Sequence, residues 1–83
     1  MKEVVYKPLA RKALRHMPAN TARRIVGKIE AYTTDPASQQ NNVKALKGRD
    51  AIRLRVGDWR VIFTSEPDRV IVHDVGPRGS IYG

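Results

Sequence analysis

Hydrophobic and polar residues change period several times along the chain, and each change marks a predicted element. Glu3-Val4-Val5-Tyr6 is a short β-prone run that stops at Lys7-Pro8. Proline suits the first turn of a helix, where its missing N–H is no loss. From there Leu9, Ala13, Leu14 and Met17 recur at helical spacing, Arg11, Lys12 and Arg15 face away, and Pro18 stops the pattern. Asn20 or Thr21 is placed to cap a second helix. Its apolar stripe is Ala22, Ile25, Val26, Ile29 and Tyr32, and Arg23, Arg24 and Lys28 fall on its outer side. Thr33-Thr34-Asp35-Pro36 ends it. So little chain separates the two helices that they are expected to form an antiparallel hairpin.

Residues 36–50 are polar and turn-rich and read as a connecting loop, pinned to the core by Val43, Leu46 and Ala45. The period then becomes two. Ile52, Leu54 and Val56 alternate with Arg53 and Arg55, Gly57-Asp58 reads as a tight turn, and Trp59 to Thr64 is the return strand. After a second turn at Ser65-Glu66-Pro67-Asp68, a third strand is expected from Arg69 to Val75. Alternation puts Ile71, His73 and Val75 on one of its faces and Val70, Val72 and Asp74 on the other, and Gly76-Pro77 breaks it. The predicted fold is α+β: an N-terminal strand, an antiparallel helix hairpin, then an antiparallel β-meander with helices on one face. The other face stays partly open, and Arg53, Arg55 and Arg60 are expected there.

Composition narrows the chemistry. At 83 residues, 41% of them hydrophobic, residues 1–83 read as one small domain with a thin core. With no cysteine and with two histidines far apart, His16 and His73, neither disulfides nor a metal centre is expected. No segment reads as a signal peptide or a membrane span, which makes cytoplasmic the default location. The net charge of +8 points to nucleic acid, an anionic membrane or an acidic protein partner. Residues 1–40 carry eight basic and three acidic side chains and residues 41–83 carry eight and five, so the charge belongs to a folded surface and not to a tail. Guanidinium groups bind phosphate bidentately and stay charged at physiological pH, so three arginines within eight residues of a hairpin predict a phosphate-reading surface.

With its elements in this order, the chain resembles the RelE/ParE superfamily of bacterial toxins, and more closely its RelE-type mRNA interferase branch, over nearly its whole length. Three phrases carry the resemblance: Leu46-Lys47-Gly48, the run from Arg53 to Phe63, and Val75-Gly76-Pro77-Arg78 followed by Ile81-Tyr82. It implies the toxin of a type II toxin–antitoxin system, a metal-independent, cofactor-free endoribonuclease that cleaves mRNA on the ribosome and inhibits translation. Its partners would be mRNA, the ribosome and a cognate antitoxin that blocks it. The superfamily's active surface maps onto Arg53, Arg55, Arg60, Arg78 and Tyr82. Lys44 and Lys47 flank that surface as candidate RNA contacts. Where RelE-type toxins often carry lysines, Arg53 and Arg55 stand here. Arginine keeps its proton and suits phosphate holding better than general-base work.

Two other readings remain open: a ParE-like toxin that inhibits DNA gyrase without a nuclease site, and a basic nucleic-acid-binding module. Individual residues also have plainer readings. Arg60 pairs with phosphate, or across strands with Asp58 or Asp74. Tyr82 contacts RNA, or pins the chain end. His73 has the ordinary pKa for acid–base work, yet a structural role is the expectation. Trp59 shares the face of Val61 and Phe63 and is assigned to the core, and Asp58 to the turn.

Overall fold

The computed structural model describes residues 2–46, 48 and 50–79. Strand β1 (Glu3–Tyr6) leads into helices α1 (Pro8–Arg15) and α2 (Ala19–Thr34). A 3-10 segment (Pro36–Asn42) then feeds β2 (Val43–Ala45), β3 (Ile52–Val56), β4 (Trp59–Ser65) and β5 (Arg69–Pro77). The strands form one sheet in the order β1-β5-β4-β3-β2. Neighbours β2 to β5 are antiparallel, and β1 runs parallel to β5, so the α+β fold has a mixed sheet.

Both helices cover one face of it. Ile25 and Ile29, one helical turn apart on α2, are fully buried against Leu54, Val56, Val61, Phe63, Val70, Val72 and Val75. The Tyr32 ring stands edge-on to Phe63, with centroids 4.9 Å apart. On α1 the buried stripe begins one residue later than the pattern predicts. Ala10 is fully buried, Ala13, Leu14 and Met17 pack beside it, and Leu9 is 59% exposed. A small side chain lets α1 approach β5, where it chiefly lies. Nor does Asn20 or Thr21 cap α2: the helix starts at Ala19 behind Pro18, and the Asn20 side chain accepts only the neighbouring Thr21 N–H.

Three expectations about the sheet are corrected. Part of the 36–50 loop is ordered as the 3-10 segment and β2, whose three residues are too few to show a period. In β5, Asp74 pairs with Ile62 and Val72 with Phe63, which leaves His73 as an extra residue in the ladder. That bulge resets the alternation, so Val75 joins Val70 and Val72 in the core instead of facing out with Ile71. The strand also continues through Gly76 and Pro77, opposite Arg60 and Trp59. There β5 has lost its β1 neighbour, an edge position that proline tolerates.

The face away from the helices is covered in part by a second apolar group, Leu46, Ala51 and Ile62. The rest carries the arginines. Among the described residues, no helix is long and apolar enough to cross a membrane.

Candidate functional site

Strand register brings like charges together. Lys44 of β2 lies opposite Arg53 of β3, and Arg55 of β3 lies opposite Arg60 of β4. Because Arg53 and Arg55 are two residues apart, all four share one face. Like charges directly opposite destabilise a sheet. No ion pair to a carboxylate relieves them among the described residues, where the sole pair is Arg69–Glu66 at 2.7 Å. The cross-strand pairing of Arg60 with Asp58 or Asp74 is therefore not formed. Instead the Arg60 guanidinium folds back over the hairpin, donating from Nη1 to the carbonyls of Gly57 (3.0 Å) and Trp59 (2.9 Å). Gly76, its partner on β5, adds no side chain beside it.

Two grooves meet at this cluster. One, of about 330 Å³, is lined by Asn41, Asn42, Val43, Lys44, Arg53, Arg55 and Arg60. The other, of about 580 Å³, wraps the hairpin tip and adds Arg24, Lys28 and Arg78 to the shared Asn42, Arg55 and Arg60. Arg78 is held there by its backbone N–H, which donates to the Asp58 carbonyl at 2.7 Å. Five of the seven candidate residues from sequence thus line one continuous basic surface: Lys44, Arg53, Arg55, Arg60 and Arg78. Lys47 and Tyr82 lie outside the described residues.

Three contributors were not singled out from sequence. Asn42 closes the 3-10 segment and accepts from Arg55 Nη2 at 3.2 Å. Arg24 and Lys28, assigned to the outer side of α2, instead line the larger groove. Their spacing of four residues was the only hint. His73 lines neither groove and shares a 3.0 Å hydrogen bond with Thr64. Trp59 packs against the core as expected. Among the described residues, no group of three or more His, Asp or Glu side chains is placed to hold a metal ion.

A mixed five-stranded sheet with helices on one face and a basic hairpin on the other defines the RelE/ParE toxin fold. The model of the ParE toxin of the type II toxin–antitoxin system parDE matches residues 4–82, and the chain belongs to this family. Solved structures agree. A chain of the archaeal RelE–RelB complex from Pyrococcus horikoshii superposes with a TM-score of 0.79 at 26% identity, over 96% of this chain and 98% of that one. A chain of the RelB–RelE antitoxin–toxin complex from Methanococcus jannaschii gives 0.73 at 28% identity, with 94% of each chain covered. The isolated RelE toxin of E. coli, at 15% identity, shares the fold with a TM-score of 0.78 over 98% of this chain and 88% of that one. Curated protein sequences gave no match.

Proposed function

We propose that this toxin is a metal-independent endoribonuclease that cleaves mRNA on the ribosome and so inhibits translation. The observation that carries the reading is the pair of like-charge registers, Lys44 with Arg53 and Arg55 with Arg60, on the sheet face away from the helices. A sheet tolerates such repulsion when an anion is its partner.

In the reaction, the substrate 2′-oxygen attacks the adjacent phosphorus and gives up its proton. The P–O5′ bond breaks, leaving a 2′,3′-cyclic phosphate and a 5′-hydroxyl that has gained a proton. Arg55, Arg60 and Arg78 hold the phosphate and stabilise the charge that builds on it, while Arg53, Lys44 and Lys47 bind the flanking backbone. Tyr82 stacks on a base or donates a hydrogen bond. DNA lacks the 2′-hydroxyl and is not cut. The partner is a cognate antitoxin with an acidic segment that neutralises this surface, in keeping with the antitoxin complexes among the structural neighbours.

The family match favours one rival, a ParE-like toxin that binds and inhibits DNA gyrase without cleaving RNA. Brief induction, followed by mapping of mRNA 5′ ends beside a supercoiling assay, separates the two. New mRNA ends with normal supercoiling are expected. Arg60→Ala should slow cleavage by about 100-fold or more. Intact mRNA with trapped gyrase–DNA complexes would transfer the chain to the rival reading.

A further inference from the structure

The larger groove holds two cations that the mechanism above does not use. Arg24 and Lys28 sit four residues apart on α2, the spacing that sets side chains next to each other on a helix surface. Like charges so placed cost helix stability. Neither is in an ion pair within 4 Å among the described residues, where the sole pair is Arg69–Glu66. Their positions are fixed from below, since Ile25 and Ile29, the residues that follow each of them, are fully buried. The Arg24 guanidinium lies over the hairpin turn, in the space that a side chain on Gly57 would take. The hairpin turn thus leaves room for a helix arginine, which stands beside Arg55, Arg60 and Arg78 in the same groove.

We propose that Arg24 and Lys28 form a subsite for a second backbone phosphate of single-stranded RNA. The strand enters along Lys44 and Arg53, places its reacting phosphate at Arg55 and Arg60, and leaves over the hairpin tip to α2. The subsite rests on the ribonuclease reading of the central cluster. It contributes binding and register, not bond cleavage.

The test uses the whole chain and a short RNA with 2′-O-methyl groups throughout, which binds without being cut, with affinity measured against salt concentration. Each phosphate contact on a single strand contributes about 0.7 to the slope of log affinity against log salt. Arg24→Gln/Lys28→Gln should reduce the slope by about 0.7, and Lys28→Gln alone, which leaves the Gly57 contact intact, by a fraction of that. Arg24→Lys should keep it. A charge-matched control, Arg11→Gln/Arg15→Gln on the exposed side of α1, should leave it unchanged. With ribosome-bound mRNA as the cleavable substrate, the α2 double variant should raise KM and keep kcat. A slope equal to that of the α1 control would overturn the subsite. If Arg55→Gln/Arg60→Gln also left the slope untouched, the central phosphate cluster would fall with it.

Discussion

Gln39 is buried to 5% exposure, and its amide decides how Arg55 is held. An arginine can only donate, so Asn42 must turn its Oδ1 toward Arg55. Its Nδ2 then donates to Gln39 Oε1 at 3.2 Å, and Gln39 Nε2 faces Ser38 Oγ at 3.4 Å. Gln39→Met keeps the volume and removes the acceptor. It should lower stability by about 1 kcal/mol and weaken RNA binding, read by melting and by anisotropy. In an Arg55→Ala background the binding loss should vanish, because the relay acts through that arginine. Additive losses would mean that Gln39 only supports the fold. None of this was legible in Ser38-Gln39-Gln40-Asn41-Asn42, a polar run without period. Arg53 and Arg55, by contrast, were legible because strand alternation alone assigns them a common face.

At the scale of elements, the tip of the β3–β4 hairpin is the most constrained turn. Gly57 has φ +59°, a conformation that a side chain disfavours, and Arg24 already fills the space above it. Gly57→Ala should therefore destabilise by about 1–2 kcal/mol from backbone strain alone, and it should also displace Arg24. Denaturant melts of the wild type, Gly57→Ala and Arg24→Ala/Gly57→Ala should show most of the loss kept in the double variant, because the long Arg24 side chain moves aside at little cost.

Strand β1 holds one group with a shifted titration, Tyr6. Burial first, and the nearby Glu30 charge second, hold the Tyr6 phenol above its ordinary value of 10.0. The folded state keeps this proton more tightly than the unfolded chain does. That contribution is complete below pH 10 and is lost as pH rises through the folded-state value. Tyr6→Phe should flatten the alkaline limb of a stability–pH curve, and an unchanged limb would assign it to other groups. Outside the 3-10 segment and β2, element types were legible from the sequence pattern. The β5 bulge was not, because an inserted residue looks like ordinary alternation until its partner strand is known. The position of Arg24 was hidden for a related reason: helical spacing shows which face is buried, but not what stands beside the outer one.

For the whole molecule, a net charge of +8 makes self-repulsion a standing cost. The Arg69–Glu66 pair is exposed and offers little relief. Raising ionic strength from ~0.01 to ~0.1 M shortens the screening length from about 30 to about 10 Å. The melting temperature should rise over that range, and RNA affinity should fall. A falling melting temperature would show that attraction between charges outweighs repulsion in the folded state.

The parallel seam between β1 and β5 sets residue 3 against residue 69. Every other seam of the sheet joins segments that follow one another along the chain. A nascent chain can therefore zip β2 through β5 by successive short closures, while β1, made first, waits for a partner made more than sixty residues later. Closing so long a loop is entropically the costliest pairing in the molecule. Hydrogen exchange during refolding should find the amides of Val4 and Val5 protected after those of Val61 and Phe63. The toxin is then assembled from its basic hairpin outward, and its first-made strand is the last to lock.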